Sequence, residues 1–353
     1  MGTEPNILPQ TIRWEQGCLF LLDQTLLPLE VVYEQQHTIE QVWESIKQLK
    51  VRGAPAIGVA GAYGLVLAIR DRSELSHGQF MELLERKADY LAGARPTAVN
   101  LSWALRRLVE TARQMPSSSV TDLIATLERE AIRIHDEDRE LCRRIGENGL
   151  SLVRDGMGIL THCNAGSLAT SQFGTALAPM YLAHERGVHF RVYCDETRPL
   201  LQGARLTSWE LDQAGIDVTL ICDNTAAHMM SQGLVDMVLV GTDRVAANGD
   251  VANKIGTLGV AILARHFEIP FFVACPYSTI DFQTADGGSI QIEERGEQEV
   301  THFAARRTAP LGIGFRNPAF DVTPNALVSG LITERGIVRA PYEANLKQSY
   351  ADQ

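Results

Sequence analysis

Apolar residues recur along this chain with two different periods, and the change between them falls near residue 155. Over 11–32 short runs alternate, as in Cys18-Leu19-Phe20-Leu21-Leu22-Asp23, and predict a small antiparallel piece with turns at Gln16-Gly17 and Pro28. After it, apolar positions fall three and four apart with acids and bases between them. That spacing predicts helices over 39–49, 55–69, 79–91, 98–111 and 120–154, with Pro116-Ser117-Ser118-Ser119 as a surface loop. Beyond Gly156, short apolar strands alternate with helical stretches, the pattern of a parallel sheet covered on both faces. The predicted strands are 158–162, 190–193, 218–221, 237–240 and 271–274. The expected fold class is therefore α/β. A small N-terminal β segment and a helical domain are expected over 1–155, and a Rossmann-like catalytic domain with helices on both faces of a parallel sheet over 156–353.

The ends of those strands carry polar groups. In an open parallel sheet, ligands bind beyond the carboxyl ends of the strands, so these positions are the first place to look for chemistry. The first strand runs into Cys163-Asn164-Ala165-Gly166-Ser167, a small-residue turn expected to open a helix. A thiol there feels the positive helix end, which lowers its pKa from about 8.5; a buried cysteine acting as a small apolar residue fits equally well. The second strand leads into Cys194-Asp195-Glu196-Thr197-Arg198-Pro199-Leu200-Leu201-Gln202-Gly203-Ala204-Arg205, denser in hydrogen-bonding groups than a solvated turn needs. The third ends at Asp223, expected to cap the following helix. The fourth ends at Gly241-Thr242-Asp243-Arg244, which puts Asp243 at the sheet rim, with a helix cap or an ion pair to Arg244 as its ordinary alternatives. Asn253 and Lys254 are expected to open the next helix.

Phosphate has its best candidate in the helical part. In Val51-Arg52-Gly53-Ala54-Pro55, the proline sits where a helix starts, the glycine allows close backbone approach and Arg52 adds a cation. Arg95-Pro96-Thr97 is a weaker version. The spacing Gly58, Gly61, Gly64 lies inside a helical pattern and reads as close helix packing, not as a dinucleotide fingerprint.

Composition removes other classes. With 353 residues, 45% hydrophobic and 21% charged, the chain can bury two domain cores. A formal charge of -11 gives no general attraction to nucleic acid or anionic membranes. No apolar run reaches the roughly 20 residues of a membrane span, and residues 1–10 lack a signal pattern, so a cytoplasmic protein is expected. Cysteines at 18, 142, 163, 194, 222 and 275 contain no CxxC pair and are expected to be reduced. The 9 histidines lack metal-ligand spacing, and His162 and His228 read as core or supporting residues. There is no GxGxxG after the first strand, no P-loop and no serine hydrolase elbow. No metal and no cofactor are expected.

Taken in order, Val51-Arg52-Gly53-Ala54-Pro55-Ala56-Ile57-Gly58, Arg95-Pro96-Thr97-Ala98-Val99-Asn100-Leu101, the Cys163 turn, Glu196 through Thr207, Gly241 through Thr257 and the late Asn317-Pro318-Ala319-Phe320-Asp321 closely resemble the methylthioribose-1-phosphate isomerases of methionine salvage. The resemblance covers nearly the whole chain. It implies an aldose-ketose isomerase acting on a small sugar phosphate, 5-methylthioribose 1-phosphate to 5-methylthioribulose 1-phosphate, without cofactor and as a homodimer. By motif it implies Cys163 and Asp243 as the catalytic pair, with Asp243 the general acid, and Arg52, Gly53, Ala54, Arg95, Gln202, Asn253 and Lys254 as substrate-binding residues. For Asp243 to be a neutral acid, its pKa must be raised by apolar surroundings or by the nearby phosphate. Two rivals share the superfamily: ribose-1,5-bisphosphate isomerase, and non-catalytic regulatory subunits of a translation initiation factor. Retention of both Cys163 and Asp243 argues against the second.

Overall fold

The computed structural model describes residues 9–351 except Thr97 and Ala304. Its chain forms two compact units. One holds the described residues up to Cys142 together with Gly166–Gly174; the other holds Arg143–Ala165 and the described residues from Thr175 onward. The helix Val120–Gly149 runs in sequence from the first into the second. Among the described residues, no helix is long and apolar enough to cross a membrane.

The first unit opens with an antiparallel sheet of Ile12–Glu15, Cys18–Leu22 and Tyr33–Gln36. Its first turn is Gln16-Gly17, both left-handed at φ 52° and 75°, as a two-residue hairpin requires. The third strand, Tyr33-Glu34-Gln35-Gln36, has no apolar alternation and was not expected. Helices Ile39–Lys47, Ala54–Ile69, His77–Ala92 and Val99–Arg113 follow. Ala54–Ile69 is apolar throughout and nearly all buried, and its glycines let neighbours approach. A Cβ at Gly58 would lie 2.9 Å from the Asn100 carbonyl oxygen, one at Gly64 2.8 Å from Val42 Cγ1. Close packing is thus the role of that glycine spacing, as the helical pattern predicts.

In the second unit a seven-stranded sheet runs in the order Gly336–Val338, Gly330–Thr333, Phe271–Ala274, Met237–Val240, Gly158–Thr161, Arg191–Asp195, Asp217–Ile221. All neighbours are parallel except the edge strand Gly336–Val338. The α/β class expected from the pattern is present. Gly158–Thr161, Met237–Val240 and Phe271–Ala274 are buried along their whole length, which is why they read as continuous apolar runs; Gly330–Thr333, equally buried, was not expected. The chain moves outward from Gly158–Thr161 in one direction through two strands, then returns to lay Met237–Val240 on its other side. That reversal is a topological switch point, where the loops beyond two adjacent strands part to leave a crevice.

A second sheet escaped the sequence pattern. It pairs Ile280–Asp281, Arg244–Ala246, Val251–Lys254 and Phe320–Thr323. Asn253 and Lys254 therefore end a strand, opposite Asp321 and Phe320, and do not open a helix as expected. The helix begins at Thr257, after Gly256 at φ 105°, and its entry is held by the Asp321 carboxylate, which accepts from the Gly256 and Leu258 N–H groups at 2.8 and 3.0 Å. Val251 and Ala252 pair with Val245 and Arg244 nearby, whereas Asn253 and Lys254 are paired with Asp321 and Phe320 of the distant strand, so no local period announces them.

Candidate active site

Cys163 stands just beyond the strand Gly158–Thr161, at the switch point, with its backbone left-handed at φ 62°. It is buried, at 8% exposure. The turn after it does not open an α-helix. It makes one 3-10 turn, Ser167–Ala169, and the next α-helix is Ala178–Glu185. Residues Gly166–Gly174 belong to the helical unit, where the Ser171 N–H donates to Asp138 Oδ2 at 2.7 Å, so the chain bends away instead of winding. The expected helix-end influence on the thiol is therefore absent. What holds Cys163 is a pair of hydroxyls. Its N–H donates to Thr197 Oγ1 at 2.8 Å, and its carbonyl accepts from Thr207 Oγ1. Beside it, Asn164 donates to Thr207 Oγ1 at 3.1 Å and to Glu210, whose other oxygen accepts from Tyr181 Oη at 2.8 Å.

His162 is fully enclosed between two acceptors. Its Nδ1 lies 2.8 Å from Asp195 Oδ2 and its Nε2 2.8 Å from the Ile255 carbonyl oxygen. A carbonyl only accepts, so Nε2 carries hydrogen, and one further proton lies along the line from Nδ1 to Asp195. Burial pulls the His162 pKa down, but the Asp195 hydrogen bond and charge outweigh it and leave the imidazole above its ordinary value. Burial likewise lifts the Asp195 carboxyl, against the pull of His162. Asp195 Oδ1 is buried without a protein partner among the described residues. Asp223 was expected to cap its own helix. It instead accepts from the Thr197 and Arg198 N–H groups, each at 2.7 Å, and so pins the loop after Asp195. Among the described residues, His162, Asp195 and Asp223 alone bring three metal-capable atoms together, within 4.8 Å. Both oxygens of Asp223 accept from backbone N–H groups, and both nitrogens of His162 are engaged, one with Asp195 and one with the Ile255 carbonyl.

Asp243 follows Met237–Val240 and is exposed. Its N–H donates to the Ala252 carbonyl at 3.0 Å, and Arg244 pairs with Asp281 at 3.4 Å. The apolar surroundings expected around Asp243 are not there. Gln202 is buried, its Oε1 has no partner among the described residues, and it directly precedes the π-helical turn Gly203–Thr207. Gly203 is required there, since a Cβ would sit 1.7 Å from the Asp195 carbonyl oxygen. Asn253 donates to Thr257 Oγ1 at 3.0 Å; Lys254 Nζ donates to the Ala319 carbonyl at 3.1 Å and lies 4.5 Å from the centre of the Phe320 ring.

The other four expected residues lie in the helical unit. Gly53 precedes the helix Ala54–Ile69 at φ 90°, offers no side-chain cap, and would place a Cβ 2.3 Å from the Ala169 carbonyl oxygen. Ala54 and Pro55 are the first helical residues, as predicted, and Arg52 beside them is half-buried. Arg95 is half-buried before the helix Val99–Arg113; Thr97 of its motif lies outside the described residues. Sequence reasoning read His162 as a core or supporting residue, which its buried pairing with Asp195 bears out, but assigned no roles to Thr197, Thr207, Asn164 or Glu210 beyond noting the polar density of 194–205. Their signal is a set of hydrogen bonds spanning tens of residues, which leaves no periodic trace.

Comparison with known proteins gives one picture. The Initiation factor 2 subunit family matches residues 50–340. A protein from Bacillus thuringiensis (strain Al Hakam) named 5-deoxyribose 1-phosphate isomerase is 55% identical over 98% of this chain and 99% of its own length. Another from Geobacillus kaustophilus, named methylthioribose-1-phosphate isomerase, is 55% identical over 96% of this chain and 95% of its own. Among solved structures, 5-methylthioribose 1-phosphate isomerase from Pyrococcus horikoshii is similar at TM-score 0.94 and 43% identity, covering 98% of this chain and 97% of that one. A structure described as translation initiation factor eIF-2B, subunit delta, from A. fulgidus is similar at TM-score 0.90 and 44% identity, covering 97% and 99%.

Proposed function

The chain belongs to the Initiation factor 2 subunit family and is a sugar-phosphate isomerase, and on that premise we propose that it converts 5-methylthioribose 1-phosphate to 5-methylthioribulose 1-phosphate. The observation that carries this reading is the placement of Cys163 and Asp243. They follow Gly158–Thr161 and Met237–Val240, neighbouring parallel strands paired through Ile159↔Met237 and Leu160↔Val238, at the switch point of the sheet. A thiol and a carboxyl suit this reaction because the anomeric oxygen is locked in a phosphate ester, so the ring must open with C1 still carrying phosphate. The Asp243 carboxyl gives its proton to the ring oxygen and the bond from that oxygen to C1 breaks. Hydrogen then moves from C2 to C1. Either Cys163 as thiolate takes it as a proton, leaving a phosphorylated enol that is reprotonated at C1, or it passes directly as hydride. In both routes the 2-hydroxyl loses its proton and C2 becomes the ketone.

Arg52, Gly53, Ala54, Arg95, Gln202, Asn253 and Lys254 are proposed as substrate contacts from their motifs. The uncapped start of Ala54–Ile69 offers backbone N–H groups and a positive helix end, which supports a phosphate role for Arg52, Gly53 and Ala54. A homodimer is proposed with them, to be tested by sedimentation against twice the chain mass of 38.8 kDa.

The relatives named 5-deoxyribose 1-phosphate isomerase favour a second reading, in which the substituent at C5 is hydrogen instead of methylthio. The reacting atoms are the same. Progress curves with 5-methylthioribose 1-phosphate, 5-deoxyribose 1-phosphate and ribose 1,5-bisphosphate, without added metal or cofactor, separate the readings. A kcat/KM highest for the methylthio substrate supports the proposal; one at least tenfold higher for the deoxy sugar replaces it, and turnover of the bisphosphate alone overturns both.

A further inference from the structure

Two residues in this unit adopt the left-handed conformation and are hydrogen-bonded to each other across 34 positions of sequence. Cys163 has φ 62° and Thr197 φ 64°. A left-handed backbone is uncommon for any residue with a Cβ and an outlier for a β-branched one, so it persists only where the surroundings impose it. Here the surroundings are identifiable. Thr197 Oγ1 accepts from the Cys163 N–H at 2.8 Å and donates its own hydrogen to the Asp195 carbonyl at 3.1 Å, so its rotor has one satisfied orientation. On the other side, Thr207 Oγ1 donates to the Cys163 carbonyl and accepts from Asn164 Nδ2 at 3.1 Å. Both threonines are 0% exposed.

The backbone that carries them is shaped for this contact. In an ordinary helix a threonine hydroxyl turns back to the carbonyl four residues earlier, as the next residue does: Ser208 Oγ bonds the Ala204 carbonyl at 2.6 Å. Thr207 ends a π-helical turn and reaches outside its own helix to Cys163. The start of that turn, Gly203, lies so close that a Cβ would be 2.9 Å from Thr197 Oγ1. Asp223 accepts from the N–H groups of Thr197 and Arg198, the peptides before and after Thr197 Cα. Single-turn π segments are frequent at functional sites.

We propose that Thr197 and Thr207 are positioning residues whose hydroxyls hold the N–H and the carbonyl of Cys163, keep its backbone left-handed, and so fix where the thiol points. This deepens the assignment of Cys163 to the reaction and rests on it. The clamp acts on the direction of the thiol, not on substrate affinity, so its loss reads in kcat and not in KM.

The test compares hydroxyl-deleting with hydroxyl-keeping substitutions in the full-length protein. Thr207→Val and Thr197→Val are expected to lower kcat at least tenfold with KM within about threefold, and Thr207→Ser and Thr197→Ser to stay within about threefold of the parent in both. Independently of turnover, iodoacetamide labelling of Cys163, located by peptide mass, is expected to change at least fivefold in rate in the valine variants and to be near parental in the serine ones. Folded valine variants with parental kcat and parental labelling overturn the clamp. Equal damage from valine and serine also overturns it, because shape and not the hydroxyl would then be the requirement. Where a valine variant does not fold, Thr→Ala at the same position takes its place. A folded Cys163→Ser enzyme with parental turnover sinks the catalytic reading instead, while the labelling comparison still decides the clamp.

Discussion

At the residue scale, the two reactive candidates sit in opposite settings. Cys163 is enclosed and its backbone is tied at both its N–H and its carbonyl, whereas Asp243 is exposed and, among the described residues, is tied through its own N–H to Ala252. Asp243→Asn keeps size and hydrogen bonding but cannot give a carboxyl proton, so kcat is expected to fall at least about a hundredfold while substrate still binds. Steady-state kinetics with a binding isotherm decide it, and near-parental turnover would remove Asp243 from the reaction. Arg52, beside the uncapped helix start, gives a complementary expectation. Its replacement by alanine removes a charge-assisted contact of about 1.5 to 3 kcal/mol and should weaken binding of substrate and of inorganic phosphate roughly ten- to a hundredfold. Unchanged affinity for both would make Arg52 a structural residue.

At the scale of elements, legibility followed burial and locality. Met237–Val240 and Phe271–Ala274 coincide with the predicted 237–240 and 271–274, because a strand buried on both faces must be apolar throughout. The helix predicted over 55–69 is Ala54–Ile69, marked by its entry proline and by glycines at packing positions. Gly58 tests that packing. A methyl group there meets the Asn100 backbone oxygen at 2.9 Å, and backbone cannot rotate away as a side-chain tip can. Gly58→Ala is expected to cost about 1–3 kcal/mol, seen as a lower denaturation midpoint with an unchanged slope. Parental stability would mean that Ala54–Ile69 and Val99–Arg113 separate freely. What was not legible are the strands Arg244–Ala246, Val251–Lys254 and Ile280–Asp281, whose two to four residues are too short for a period and which exist only through their partners. The same short pieces explain why Asn253 and Lys254 were placed in a helix.

At the scale of the whole molecule, folding fixes protonation states that the unfolded chain releases. His135 is buried against Tyr63, whose hydroxyl lies 2.9 Å from Nδ1. Burial, with the Arg139 charge adding to it, lowers its pKa from 6.5 to about 4. A histidine depressed in the folded state contributes stability that is whole above the unfolded pKa and is lost as pH falls through the folded one. The window is therefore from about 6.5 down to about 4, and the full effect is about 3 kcal/mol. Urea denaturation of the parent and of His135→Gln at pH 7 and pH 4.5 measures it. The parent is expected to lose more stability on acidification than the variant, and equal losses would show that His135 is not buried neutral.

By itself, the sequence determined the α/β class, the buried strands Gly158–Thr161, Met237–Val240 and Phe271–Ala274, and the helix entered through Pro55. Those properties are local. An apolar run, a proline at a helix start or a motif of fixed spacing is complete within about a dozen residues. Tertiary structure alone decided that Cys163 opens no helix, that Asp223 serves the loop at Thr197 instead of its own helix, and that Thr197 and Thr207 close on the Cys163 peptide. Each of these is a hydrogen bond or a chain path set by groups 26 to 44 residues apart in sequence. A polar side chain carries no mark of which distant partner will satisfy it. That choice is made only when the sheet brings the strand ends together and every buried donor must find an acceptor.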